Sequence, residues 1–206
     1  MIFETKLVEG FGPAIHAMRN PMNSYDKSDS KWYFDEDDEK WRYGIGANDR
    51  DLSERLQKAG PEHCKHLRMI NVWVDISAPF YVLKQLDTYR MGVEKVSCST
   101  MHKITARPFE ESDFAIDSDE WRKTITDFMN DRYKQWAEAT DKDEKAMRWK
   151  DIIQCLPESY IQKRTYMFSY AALRNIINQR RGHKLSEWQE FIEWCHTLPH
   201  DWMLFT

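Results

Sequence analysis

Residues 67–76, LRMINVWVDI, constrain the fold more than any other stretch of the chain. Leu67, Met69, Asn71, Trp73 and Asp75 alternate with Arg68, Ile70, Val72, Val74 and Ile76, and both sets are mostly apolar, so the segment reads as a central strand buried on both faces. Such a strand needs neighbours beside it in a sheet and cover above and below. Ala78-Pro79 follows at once, and a proline suits the first turn of a helix, where its missing N–H costs nothing. Phe80, Leu83 and Leu86, with Val82 and Tyr89, recur at helical spacing. Lys84, Asp87 and Thr88 fall on the other face, while Gln85 and Arg90 add polar groups that packing does not need. Gly92 reads as the left-handed residue ending this helix. Beyond it, Ser97-Cys98-Ser99-Thr100-Met101-His102 is too rich in short hydrogen-bonding side chains for a plain strand and reads as a hydroxyl-rich turn.

Around this centre helical patterns dominate. Residues 2–8 alternate like a half-buried strand, and Gly10 to Pro13 turn the chain into a short helix at 14–19. Asp49 is placed as the cap of a helix over 51–59, stopped by Gly60-Pro61. Further helices are expected at 120–137, 144–155, 159–181 and 185–196. The third is the longest, with Tyr166, Tyr170, Leu173 and Ile177 as its stripe and Gly182 closing it. Residues 22–42 read as an acidic, aromatic loop in which 35–39 carry five successive carboxyl groups. Such a run is ordinarily a solvated face, and neighbouring carboxylates cannot converge on a metal from so short a segment without strain. The expected class is α+β, a small mixed sheet with many helices, in one domain spanning 1–206.

Composition narrows the function classes. A net charge of −4 gives no basic face for coating nucleic acid, and no run of about 18 apolar residues is present for a membrane span. The four cysteines lie far apart with no CxxC pair, which points to neither a zinc knuckle nor a disulfide framework and to a reduced, cytoplasmic setting. Nine tryptophans suit interfaces or ring stacking. Cys98 between two serines invites a nucleophile reading, yet local spacing fixes no histidine or acidic partner for it, and free cysteines are usually packing residues. Arg180-Arg181 at a helix C-terminus are favourable with the helix dipole by themselves.

Four pieces, in matching order and spacing, resemble the flavin-dependent thymidylate synthase (ThyX) family over roughly 49–104 and 150–194. They are Asp49-Arg50-Asp51-Leu52 through Gly60 and His63; Ala78-Pro79 with Gln85, similar to the family's A-P-x-x-V-x-x-Q; the signature region; and Leu156-Pro157 with 175–180 and Glu187-Trp188, similar to its L-P, N-F-L-x-x-R and Q-W-E pieces. The signature is altered. Thr88-Tyr89-Arg90 stands where the family has R-H-R, seven residues separate Arg90 from Cys98 where a serine is expected, and one inserted residue brings Ser99 into register. In that register the family's phosphate-holding arginine becomes Met101, and its asparagine and arginine before N-F-L-x-x-R fall on Ser169 and Ala171, with Arg174 one turn away.

The resemblance implies an FAD enzyme that takes hydride from NADPH and adds a one-carbon unit from methylenetetrahydrofolate to a deoxyuridine nucleotide, working as a cytoplasmic homotetramer with sites shared between subunits. It assigns His63, Lys65, Tyr89, Arg90, Ser97 and Asn175 to the cofactor, and Gln85, Ser99, Arg174 and Arg180 to the nucleotide. Two other readings keep the fold: a nucleotide-binding carrier, sequestering or regulatory protein without the reaction, and an enzyme modifying another pyrimidine.

Overall fold

In the computed structural model, residues 1–37 and 39–206 are described. The elements run β1 (Ile2–Glu9), α1 (Phe11–Met18), β2 (Lys31–Asp35), β3 (Lys40–Gly44), α2 (Ala47–Ala59), β4 (Asn71–Pro79), α3 (Phe80–Leu86), β5 (Val93–Ser97), α4 (Thr100–Lys103), α5 (Asp119–Glu138), α6 (Lys142–Cys155), β6 (Ile161–Ser169), α7 (Tyr170–Arg180), α8 (Glu187–His196) and α9 (Trp202–Phe205). The class is α+β. One sheet has the strand order β1-β4-β6-β5, so the doubly apolar strand is internal, as its sequence requires. Val72, Val74, Ile76 and Ala78 on one face of β4 are fully buried, and the alternate residues are half-buried.

The chain divides into two compact units. Met1–Phe3, Asp75–Thr88 and Lys95–Thr165 form the first. Its apolar centre gathers Ile104, Phe109, Phe114, Met129 and Ile152, with Trp136, Trp149 and Tyr160 packed against them from α5, α6 and the approach to β6. Ser118 and Asp141 cap α5 and α6 by accepting backbone N–H bonds, as N-cap residues should. The second unit comprises Glu4–Val74, Tyr89–Glu94 and Tyr166–Thr206. Its centre is aromatic: Phe168 meets Phe191 edge-on at 6.0 Å, and Phe191 lies 5.6 Å from Trp188 and 5.3 Å from Trp194.

Five expectations are corrected by the structure. Residues 159–181 are two elements, β6 and α7, joined without a loop. The apparent stripe of Tyr166, Tyr170, Leu173 and Ile177 straddles that junction, and the alternation of β6 is masked because Gln162 and Arg164 occupy inward positions before Tyr166 and Phe168. Gly92 does not end α3, which stops at Leu86, but turns the chain into β5 with φ +71°. Residues 65–68 form a 3-10 turn, so β4 begins four residues later than its apolar pattern. Within 22–42 lies a hairpin, with Trp32 opposite Tyr43 and Phe34 opposite Trp41. Of the acidic run, Asp38 lies outside the described residues and Asp35 pairs with Arg42 at 2.7 Å.

The fifth correction concerns Asp49, which sits inside α2 and is fully buried. One oxygen accepts from Arg19 Nε at 2.6 Å. The other accepts from the hydroxyls of Ser28 and Ser30 at 2.6 Å each and from the N–H groups of Asp29 and Ser30 at 3.2 Å. The cap of α2 is supplied instead by Asp29, whose carboxylate accepts from the N–H groups of Asn48 and Asp49. Asp49 thereby ties the loop before the hairpin to the helix after it.

Candidate functional site

Local chemistry of the second unit builds its site around the start and end of α7. Ser169 caps α7, its hydroxyl accepting from Ala172 N–H at 3.2 Å, and its own N–H donates to Gly92 O at 2.8 Å. A Cβ at Gly92 would fall 2.3 Å from Ser169 Oγ, so with φ +71° only glycine lets the 89–94 segment lie this close. At the far end of the helix, Arg180 Nε donates to Tyr89 Oη at 2.9 Å. Tyr89 donates in turn to Gln179 Oε1 at 3.2 Å, and Gln179 Nε2 donates to Asn175 Oδ1 at 3.0 Å. The Arg180 guanidinium also lies 4.4 Å from the centre of the Trp188 ring and 5.6 Å from that of Tyr89. Trp188 is fully buried and forms a fixed wall for the cation.

Three separated pieces of the chain therefore meet at one arginine. Tyr89 comes from the altered triplet, Asn175 and Arg180 from α7, and Trp188 from α8. Arg90, beside Tyr89, is exposed and has no side-chain partner among the described residues. Lys65 is likewise exposed and unpartnered among them, and exposed His63 has Nε2 3.8 Å from a Glu62 oxygen.

Arg174 serves a different group. It donates to Thr206 O at 2.8 Å and to Cys64 Sγ at 3.7 Å. Beside it lies His66, a residue the sequence reading passed over in favour of exposed His63. His66 is 3% exposed, and burial, reinforced by the Arg174 charge, pushes its pKa down to about 4. Its Nε2 is 2.9 Å from Ser53 Oγ, which also accepts from Gln57 Nε2. Burial also pushes the Cys64 thiol up, against the opposing pull of Arg174.

In the first unit, a partly buried polar relay organises the hydroxyl-rich turn. Asp87 accepts from Arg164 Nη1 at 2.8 Å and from Lys95. Burial would raise the Asp87 carboxyl, but these two cations outweigh it and hold it below the usual range. Arg164 Nε donates to Gln162 Oε1 at 2.8 Å, and Gln162 Nε2 donates to Cys98 O at 2.8 Å and Thr100 Oγ1 at 2.9 Å. Ser97 closes β5, and Ser99 caps the short α4 by accepting from His102 N–H. Cys98 is exposed, with no histidine or carboxylate bonded to its thiol among the described residues. Gln85, half-buried in the last turn of α3, has its carbonyl capped by the Thr88 hydroxyl at 2.7 Å. Thr88, where the resembling family has arginine, thus works as a helix stop. Gln162 and Arg164 were hidden from sequence reasoning by the helical assignment of 159–181. No group of histidine, cysteine or acidic side chains among the described residues could hold a metal ion.

No protein-family model matches the chain, and no curated protein matches it. Solved structures do. One is Helicobacter pylori thymidylate synthase X with FAD and dUMP, at TM-score 0.75 and 16% identity, covering 99% of this chain and 97% of that one. A second, flavin-dependent thymidylate synthase ThyX of Helicobacter pylori complexed with FAD and dUMP, has TM-score 0.75 and 18% identity, with 99% and 98% covered. The chain has the ThyX fold. At this identity the likeness speaks for the ThyX fold alone, and it extends over nearly the whole length of both chains. No helix among the described residues is long and apolar enough to cross a membrane.

Proposed function

We propose that this protein binds FAD and a deoxyuridine nucleotide and transfers a one-carbon unit to the pyrimidine, as a divergent flavin-dependent thymidylate synthase. The observation that carries the reading is the convergence on Arg180. The triplet residue Tyr89, the Asn175 to Arg180 piece and Trp188, scattered over 100 positions of sequence, come together in a chain that follows the ThyX fold throughout. Packing alone does not require a cation held between a phenol and an indole. An arginine fixed in this way suits an anionic ligand such as a nucleotide phosphate.

The residues present fit FAD in kind. Lys65 and Arg90 are exposed cations with no partner among the described residues, which suits a pyrophosphate, and Asn175 offers exposed amide donors. Under this proposal His63, Lys65, Arg90, Ser97 and Asn175 serve the flavin, Gln85, Ser99, Arg174 and Arg180 serve the nucleotide, and Tyr89, which the resemblance assigns to the flavin, acts on the nucleotide side by holding Arg180. Bound flavin would supply the hydride, drawn from NADPH, while methylenetetrahydrofolate supplies the carbon. The chain's own residues bind and orient. Tyr89 reaches the ligand through Arg180, and Gln162 orders the turn bearing Ser97 and Ser99. A cytoplasmic homotetramer of single-domain chains is the assembly this reading carries.

The test is direct. Purified protein mixed with FAD and freed of excess should retain the flavin absorbance bands between about 300 and 550 nm, then methylate dUMP when given methylenetetrahydrofolate and NADPH. A colourless protein that binds no dUMP would overturn the proposal; one that is colourless but binds nucleotides would move the assignment to a nucleotide-binding protein.

A further inference from the structure

We infer that Tyr89 is a positioning residue for Arg180: the phenol takes over the middle of the altered triplet by fixing a guanidinium rather than by meeting a ligand itself. The bond that matters most has one direction. Arginine is donor-only, so Tyr89 Oη must accept from Arg180 Nε. The single phenolic proton is then left for Gln179 Oε1, and Gln179 keeps its carbonyl for that bond by donating its amide N–H to Asn175 Oδ1. Asn175 and Gln179 stand one helical turn apart on α7, so the relay is anchored on rigid backbone. Trp188, fully buried, sets the plane of the cation from one side, and the edge of Tyr89 lies against the same indole with ring centres 6.5 Å apart.

A phenol does here what a lysine or a free arginine cannot. A hydrogen bond at Nε and a ring face against the guanidinium restrict its rotation before any ligand arrives. Ordering a long side chain in advance lowers the cost of binding. The inference rests on the proposed function only for the identity of the anion that Arg180 meets; the positioning itself belongs to the free protein. The same logic explains why Tyr89 stands where a histidine is otherwise expected. An imidazole is shorter, so it would not bring an acceptor to Arg180 Nε and a donor to Gln179 from the same backbone position.

The experiment uses the full chain and three variants: Tyr89→Phe, which keeps the ring and the fold, Arg180→Lys, and the double variant. In ligand-free protein labelled with nitrogen-15, exchange of the Arg180 Nε–H with water is expected to be at least tenfold faster in Tyr89→Phe than in the parent. Calorimetric titration is expected to give about tenfold weaker dUMP binding in Tyr89→Phe but deoxyuridine binding within twofold of the parent, because only the nucleotide carries the phosphate. Tyr89→Phe added to Arg180→Lys should then change dUMP affinity no further. Unchanged Nε–H exchange, or equal losses for nucleotide and nucleoside, would overturn the inference. Absence of dUMP binding by the parent protein would instead overturn the functional reading, while the exchange rate, which needs no ligand, still decides the positioning role.

Discussion

Asp49→Asn removes one charge from a buried side chain that accepts five hydrogen bonds, and the structure sets how much that should cost. One carboxylate oxygen faces Arg19 Nε, and the other faces four donors from Ser28, Asp29 and Ser30. An amide has one oxygen and one NH2, so either orientation sets donors against donors. It also leaves the Arg19 guanidinium, 4% exposed, without its countercharge. Breaking a buried pair from one side costs about 3–5 kcal/mol. For a chain of this size that corresponds to a melting temperature lower by roughly 6–20 °C. Urea unfolding of parent and variant at pH 7 reads it directly. The pH dependence supplies a second check. Burial would raise the Asp49 carboxyl, but bonds from Ser28, Ser30 and Arg19 prevail and lower it below its ordinary 3.8. Its contribution is therefore complete above that value and lost as pH falls through the lower folded value. The gap between parent and variant should close in acid, since protonated aspartate is itself neutral there. A variant within about 1 kcal/mol of the parent at pH 7, or a gap that does not narrow as pH falls below 3.8, would refute this account of the loop.

Three further outcomes follow from single contacts. His66, held neutral with its pKa pushed down to about 4, makes folding less favourable as pH drops from 6.5, because the unfolded chain takes the proton first. Replacing it with glutamine should flatten the stability curve between pH 6.5 and 4 by on the order of 3 kcal/mol. Gly92→Ala meets both a positive φ and a contact 2.3 Å from Ser169 Oγ, and should destabilise by at least about 1–2 kcal/mol with faster amide exchange at the start of α7. Gln162→Ala leaves Cys98 O and Thr100 Oγ1 without their donor and should cost about 1–3 kcal/mol, with quicker hydrogen exchange confined to residues near 98–103.

What could be seen in the sequence was decided by how apolar residues were spaced. β4 was legible because both its faces are apolar, and α5, α6 and α8 because long stretches keep helical spacing. β6 was not, since its inward positions include Gln162 and Arg164, which look like surface residues until their relay to Asp87 and Cys98 is drawn. The hairpin hid for a related reason. Its aromatic residues alternate, but exposed Trp32, Phe34 and Trp41 mimic a disordered aromatic loop when no burial pattern supports them. Asp49 was recognised as belonging to a helix start, yet a local rule cannot foresee an arginine 30 residues earlier in the chain.

The same limit governs the site. Tyr89, Asn175 and Arg180 were each found as positions in a resemblance, and nothing local to them indicated that Tyr89 bonds to Arg180, and through Gln179 is linked to Asn175, across some 90 residues. Motif comparison treats the triplet as three independent slots, so a tyrosine in place of histidine counts only as a loss. Hydrogen-bond valence treats it as a change of partner: Tyr89 supplies an acceptor to Arg180 and consumes its own proton on Gln179, Thr88 stops α3, and Arg90 remains exposed. The two altered positions thereby acquire different structural duties, a helix stop at Thr88 and a bond to Arg180 at Tyr89, while the retained Arg90 keeps its exposed place.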